Sequence, residues 1–136
     1  MSEHFDIFMK AVGQALAQGQ ATEHTYRPAL KALLEAHAQG VTATNEPKRV
    51  ACGAPDFVIE TGKVHNRLIV GYAETKDLGA GLNEIERSEQ LQRYRAALPN
   101  LLLTNYLEFR WYVDGEKRLS ASRWARGTPS GSKTTM

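Results

Sequence analysis

The stretch that decides the fold runs from Pro55 to Lys76 and reads PDFVIETGKVHNRLIVGYAETK. An apolar run at its start and another at its end flank a polar segment whose length and glycine content are typical of a hairpin connection. Side chains two positions apart on a strand point to the same face, so Glu74 and Lys76 project together while Thr75 turns away. Pairing of the two strands would then bring Asp56 close to Glu74.

The polar side chains at these strand ends indicate a metal site. Two carboxylates and an ammonium would converge at one end of a sheet, and such a set can hold a divalent cation and act on a phosphodiester. A Glu-x-Lys triplet alone is a weak signal, because the chain has another at 46–48, where Pro47 removes a ladder donor. Taken singly, Asp56 is typical of a turn, and Glu74 and Lys76 are typical of a solvated strand end. Their combination at hairpin spacing favours the metal site.

The composition is that of one globular domain with one core. The chain has 136 residues, of which 42% are hydrophobic and 24% charged, and its formal net charge is +2. We expect a cytoplasmic location, because no apolar stretch reaches the length of a membrane span and the first residues do not read as a signal peptide. The single cysteine, Cys52, excludes an internal disulfide and a thiolate zinc cluster. A local basic surface is predicted from Lys48, Arg49, Arg87, Arg93 and Arg95.

Hydrophobic periodicity and turn residues predict an ordered alternation of helices and strands. The predicted elements are helices at 5–18 and 23–38, a weak edge strand within 41–50, strands at 56–60 and 68–76, a loop at 77–81, a helix at 83–98, and strands at 100–104 and 106–113. Thr22 is the predicted N-cap of the second helix, and Asp114-Gly115 predicts a turn after the last strand. We expect residues 1–118 to form the folded domain and residues 119–136 to be a partly disordered tail, because the segment from Thr128 to Met136 is rich in Gly, Ser, Thr and Lys.

This order of elements, αβββαβ with one added strand, is similar to the core of the PD-(D/E)xK nuclease fold, an α/β fold in which helices flank a central mixed sheet. The Pro-Asp and Glu-Thr-Lys motifs of the opening stretch also resemble those of that family. A more specific resemblance is to the Mrr-like nuclease domain at the N-terminus of Type ISP restriction-modification enzymes. It is carried by residues 22–31, 45–49, 53–56, 74–79 and 98–112, and it covers most of residues 1–118.

The resemblance implies a metal-dependent DNA endonuclease, a deoxyribonuclease that leaves a 5′-phosphate and a 3′-hydroxyl, as part of or derived from a restriction-modification system. Its partners would be DNA and the helicase, methyltransferase and target-recognition domains that follow in the longer enzymes; a homodimer is left open. The alternative is a non-catalytic nucleic-acid-binding or interaction module that kept the fold. The presence of Asp56, Glu74 and Lys76 argues against loss of catalysis. A fragment that needs missing domains to deliver DNA is a third interpretation.

The resemblance also implies roles for the strand motif. Asp56, Glu74 and the backbone carbonyl of Thr75 would bind Mg²⁺, or Mn²⁺ in its place, since hard cations take oxygen ligands. Lys76 would orient or activate the attacking water and offset charge in the transition state.

Three further candidates lie on predicted helices. Glu23 matches the helix acid that many members of the fold place beside the metal, and a capping role at the start of that helix is open as well. Gln90 and Tyr94 lie four positions apart, on one face with Arg87, in the Gln-x-x-x-Tyr pattern of RecB-like members. Simple core packing is an equal alternative for Tyr94. The four histidines show no spacing for a zinc site.

Overall fold

Six strands form one mixed sheet with helices on both faces, within the residues that the computed structural model describes: 3–19, 23–36, 39–45 and 47–122. The helices are α1 (Glu3–Ala17), α2 (Arg27–Ala36), α3 (Leu82–Glu86) and α4 (Glu89–Ala97), and a single 3-10 turn (Glu23–Tyr26) precedes α2. The strands are β1 (Val41–Asn45), β2 (Phe57–Thr61), β3 (Leu68–Thr75), β4 (Asn100–Thr104), β5 (Glu108–Val113) and β6 (Glu116–Ser122). No helix within these ranges has the length and apolar character needed to cross a membrane.

The strands lie in the sheet in the same order as in the chain. All neighbouring pairs are antiparallel except β3 and β4, which are parallel. A parallel pair needs a crossover connection, and α3 and α4 provide it. The carboxyl ends of β3 and β4 therefore lie at the same end of the sheet as the start of β2.

Side chains along each strand point alternately to the two faces of the sheet, and a hydrophobic core lies on each face. The first core joins α1 and α2 to the sheet and includes Phe8, Leu30, Phe57, Ala73 and Tyr106. The second joins α3 and α4 to the other face and includes Leu91, Tyr94, Leu101, Leu103 and Tyr112. Since Ala73 belongs to the first core, its neighbour Glu74 faces α4.

The predicted αβββαβ order is confirmed, and the differences from prediction have local causes. The helix predicted at 83–98 is two helices, because Ser88 interrupts it: the Ser88 hydroxyl accepts a hydrogen bond from the Leu91 amide at 3.2 Å and caps α4. The helix predicted from residue 23 begins as a 3-10 turn and becomes α-helical only at Arg27. Its predicted cap, Thr22, lies outside the described residues.

Strand β6 is not predicted by the sequence pattern. Asp114 and Gly115 form the predicted turn with φ angles of 51° and 85°, the positive values that tight hairpin turns require. The chain then returns along β5 in antiparallel pairing. Because β6 ends at Ser122, the folded part runs past the boundary predicted at residue 118, while residues 123–136 of the predicted tail lie outside the described residues.

A partly buried polar cluster fastens the short helix α3 to β5 and β6. One carboxylate oxygen of Glu86 contacts Arg110 Nη1 at 3.2 Å and Lys117 Nζ at 3.0 Å, and the Tyr112 hydroxyl donates to it as well. Arg110 Nη2 donates to Asn83 Oδ1 at 2.8 Å. A helix of five residues has little stability of its own, so these contacts fix its position between the loop that follows β3 and α4.

Candidate active site

Four of the predicted site residues lie side by side at one end of the sheet. Asp56 directly precedes β2, and the antiparallel register of β2 with β3 places it opposite Glu74. Glu74 and Thr75 are the last residues of β3. The amide of Lys76 donates to a carbonyl of β4 at 2.9 Å, which extends the parallel pairing by one residue. The sheet register thus places the backbones of these residues next to one another.

The carboxylate of Asp56 is held by contacts from two directions. Its Oδ2 accepts hydrogen bonds from the Thr75 amide at 2.8 Å and from the Thr75 hydroxyl at 2.9 Å. Its Oδ1 forms an ion pair with Arg27 Nη2 at 2.9 Å. Arg27 is buried and also donates from Nη1 to Asn45 Oδ1 at 3.2 Å. Asp56 is therefore tied to β3, to α2 and, through Arg27, to β1.

Asp56, Glu74, Lys76 and Gln90 form a string of polar contacts that ends on α4, and the carboxylate of Glu74 is its second member. Its Oε1 accepts the backbone amide of Asp56 at 3.2 Å, and its Oε2 lies 3.3 Å from Lys76 Nζ. Lys76 Nζ also donates to Gln90 Oε1 at 3.1 Å. The two carboxylates are linked through the amide of Asp56, and the string ends on the helix that carries the Gln-x-x-x-Tyr pattern.

Burial and like charge act together on Glu74. The residue is 4% exposed. The pKa of Glu74 is raised from 4.5 to about 7. Burial is the largest cause, the neighbouring charge of Asp56 adds to it, and Lys76 and the amide of Asp56 oppose both effects. The ammonium therefore offsets only part of the cost of placing this carboxylate beside another one.

Tyr94 lies near Glu74, on the core side of the string, and is almost fully buried. Burial raises the pKa of its phenol, and the charge of Glu74 raises it too, while a hydrogen bond with the backbone of Ala54 lowers it. Gly53 packs directly on the ring, since a Cβ at that position would lie 2.9 Å from the Tyr94 hydroxyl. Tyr94 thus belongs both to the core and to the wall of the site, so the two alternatives are compatible.

Glu23 is placed by its backbone alone. It is the first residue of the 3-10 turn, and its side chain lies outside what the structure describes. The same turn leads into Arg27, whose guanidinium reaches Asp56. Glu23 therefore lies four positions before a residue that contacts the site.

The donor atoms of the site fit a hard divalent cation. Among the described residues no cluster of three His, Cys, Asp or Glu side chains occurs that could hold a metal. Asp56 and Glu74 offer only carboxylate oxygens, and the carbonyl of Thr75 is adjacent. Mg²⁺ uses one or two carboxylates and keeps several of its waters, so a set of this size suits it. The carboxylate of Asp56 has about four acceptor positions, and Thr75 and Arg27 use three of them.

Sequence reasoning assigned no role to two residues of the site, Arg27 and Tyr106. Arg27 precedes Leu30 by three positions and so lies on the inward face of α2. An arginine in a buried position needs an acidic partner, and this pattern could have identified Arg27 from the sequence. Tyr106 hydrogen-bonds to the side chains of Thr75 and Arg27 from a left-handed backbone conformation with φ of 72°. Nothing in a local sequence pattern predicts a tyrosine in that conformation.

Replacing Glu74 with Gln should remove from the metal-free protein a loss of stability that the wild type undergoes as the pH rises. A carboxyl whose pKa is raised on folding contributes stability that is fully present below pH 4.5 and is lost as the pH rises through about 7. The difference in unfolding free energy between Glu74→Gln and the wild type should shift in favour of the variant by at most about 3 kcal/mol between pH 4.5 and pH 8. Urea unfolding in the presence of a chelator, repeated at each pH, measures this difference. Glu116→Gln, on the exposed side of β6, is the control, and a gain of the same size there would contradict the assignment.

Adding a methyl group at Gly53 should disturb Tyr94. The backbone there has a φ of 140°, and the new Cβ would meet the Tyr94 hydroxyl, so Gly53→Ala combines backbone strain with a clash. We expect a loss of about 1–3 kcal/mol in unfolding free energy. Gly19→Ala is matched, since its φ is 76° and it has open space around it. Equal losses for the two variants, measured by urea unfolding, would show that the contact with Tyr94 is unimportant.

No protein-family model and no curated protein sequence matches this chain. Among the solved structures that match, a cryo-EM structure of a DrdV–DNA complex aligns with 88% of this chain at 20% sequence identity and a TM-score of 0.69. DrdV is a Type ISP restriction enzyme, and this chain spans 12% of the DrdV chain. The six-stranded mixed sheet flanked by helices is thus a restriction-endonuclease-like fold, as the sequence predicted.

Proposed function

We propose that this chain is a metal-dependent nuclease domain that hydrolyses phosphodiester bonds in DNA, as part of or derived from a restriction-modification system. The string from Asp56 through Glu74 and Lys76 to Gln90 carries the proposal, because it gathers two carboxylates and an ammonium at one end of a restriction-endonuclease-like sheet. The DNA bound to the structural neighbour supports DNA as the substrate class.

Asp56 and Glu74 are the proposed ligands of Mg²⁺, or of Mn²⁺ in its place, together with the carbonyl of Thr75. When bound, such an ion would lower the pKa of a coordinated water and stabilise charge on the phosphate oxygens. The protein's part is to hold the two carboxylates together, and the hydrogen bonds to Asp56 and Glu74 do this before any ligand arrives.

Lys76 is the proposed electrostatic group of the reaction. A lysine ammonium has three N–H donors, and Glu74 and Gln90 take two of them. Its side chain is 26% exposed, so the third donor can reach a water or a phosphate oxygen. Charge that develops on the phosphate in the transition state would be stabilised by this donor without further reorganisation.

Gln90 and Tyr94 would support the site from α4, and Glu23 would add the third acid that the family resemblance implies. Gln90 fixes the ammonium of Lys76 through its side-chain oxygen. Tyr94 forms the buried wall beneath Glu74 and holds the loop at Gly53. Both side chains face the string because they lie four positions apart on the helix.

Lys76→Met should reduce DNA cleavage by about 10²-fold or more, because it removes one preorganised donor and keeps the aliphatic stem. Asp56→Asn and Glu74→Gln should abolish cleavage. Nicking of supercoiled plasmid in Mg²⁺, in Mn²⁺ and in EDTA measures all three, with circular dichroism as a check of folding. Cleavage that persists in EDTA would contradict the proposal.

Lys31→Met is the matched control, since Lys31 also pairs with a glutamate but lies on α2 away from the string. We expect it to cleave like the wild type. A wild-type protein that binds DNA and never cleaves it would instead favour the non-catalytic nucleic-acid-binding module.

The proposed DNA-binding surface is smaller than the sequence suggested. Arg93 donates to the carbonyl of Cys52 at 2.6 Å and pairs with Glu89. Arg95 donates to the carbonyl of Gly115 at 2.8 Å and stacks over an aromatic ring. These two arginines are used within the protein. The bond from Arg93 to Cys52 also fastens the loop before β2 to α4.

Three exposed cations remain as the proposed phosphate contacts: Lys48, Arg49 and Arg87. Lys48 and Arg49 lie on the loop that Arg93 holds against α4, and Arg87 lies just before α4. All three therefore belong to the segments that flank the site on its α4 side. Phosphate contacts from so few residues carry little base information.

Changing all three cations to Gln should weaken DNA binding. It should also reduce the magnitude of the slope of log affinity against log salt concentration by up to about 3, because each phosphate contact on a duplex contributes about 0.9. Two unrelated duplexes should bind the wild type equally. Fluorescence anisotropy across a salt series measures both. Arg118→Gln, on the exposed side of β6, removes charge elsewhere and should leave the slope unchanged. A strong preference for one duplex would contradict this account of binding.

A further inference from the structure

Arg27 occupies a position beside the site that the proposed chemistry does not use. Arg27 is the first residue of α2 and is only 4% exposed. Nη2 contacts Asp56 Oδ1 at 2.9 Å while Nη1 donates to Asn45 Oδ1 at 3.2 Å. Its side chain also hydrogen-bonds to Tyr106. One side chain thus bridges α2, the end of β1, the β4–β5 loop and a candidate metal ligand.

Asp56 depends on side-chain contacts for its orientation, because it lies outside the regular pairing of β2. Its amide donates to the side-chain carboxylate of Glu74 and not to a backbone carbonyl of β3. Thr75 fixes one oxygen of its carboxylate, and Arg27 fixes the other. Without Arg27 the carboxylate could pivot about the contacts to Thr75.

We propose that Arg27 is a positioning residue that orients the carboxylate of Asp56 for metal binding. This inference rests on the proposed function, since it takes Asp56 as a ligand. A guanidinium can satisfy two acceptors at once because its donors form a rigid planar fork. Here the fork spans Asn45 and Asp56, so the position of Asp56 is set relative to β1 as well as β3.

Arg27 could also act through charge alone, and the two effects have opposite signs. A cation next to a metal ligand repels the metal, so loss of the charge would tighten metal binding. Loss of an outer contact that orients a ligand weakens metal affinity or activity by about 10–100-fold. A lysine keeps the charge and lacks the fork. The Arg27→Lys variant therefore separates the effect of orientation from the effect of charge.

Calorimetric titration of the full chain with Mn²⁺ tests the proposal. We expect Arg27→Lys to bind Mn²⁺ about tenfold or more weakly than the wild type. Asn45→Ala, which removes the second acceptor of the fork without changing any charge, should shift affinity in the same direction by less. Thermal unfolding of each variant shows that the fold is retained. Asn45→Ala also keeps the proposal testable if Arg27→Lys does not fold.

Arg95→Lys is the matched control, because Arg95 likewise donates two hydrogen bonds but to the remote carbonyl of Gly115. It should lose some stability and keep the wild-type affinity for Mn²⁺. Wild-type affinity in Arg27→Lys and Asn45→Ala, with binding lost in Asp56→Asn, would overturn the role of Arg27 and leave the metal site standing. A wild-type protein that takes up no Mn²⁺, or an Asp56→Asn variant that binds it normally, would overturn the metal site and this inference with it.

Discussion

Two neighbouring carboxylates in a largely buried setting are the central physical constraint of this protein. Asp56 and Glu74 repel each other and lose hydration when the chain folds. Nearby cations offset part of this cost. Each has one: Arg27 lies against Asp56, and Lys76 lies against Glu74. The pKa of Glu74 is nevertheless raised to about 7, so Lys76 does not fully offset the burial of this carboxylate and its repulsion by Asp56. Protonation of Glu74 would relieve this excess of negative charge, and the divalent cation that we propose would do the same.

The architecture around these four groups serves to hold them in place. The register of β2 with β3 sets Asp56 opposite Glu74, and the parallel pairing with β4 fixes the chain at Lys76. Helices on the two faces supply the outer contacts, since α2 brings Arg27 to Asp56 and α4 brings Gln90 to Lys76. The site thus draws on both hydrophobic cores, and a disturbance in either one should reach it.

The sequence predicted the parts of the site that follow from strand periodicity. Glu74 and Lys76 share a face because they are two apart, and Asp56 meets Glu74 because the two strands form a hairpin. The contact between Arg27 and Asp56 was not predicted, because it joins elements far apart in the chain and depends on how α2 packs. The left-handed backbone of Tyr106 and the break at Ser88 were not predicted for a different reason. Both are fixed by side-chain to backbone hydrogen bonds: Thr104 Oγ1 accepts the Tyr106 amide, and Ser88 caps the following helix.

The proposed metal site requires that Asp56 and Glu74 together bind one divalent cation. Anomalous diffraction from crystals soaked in Mn²⁺ is the decisive measurement, because it locates the ion independently of any activity. We expect one strong anomalous peak within coordination distance of carboxylate oxygens from both residues, and no such peak in crystals of Asp56→Asn. A peak that contacts only one of the two carboxylates, or no peak at this end of the sheet, would contradict it.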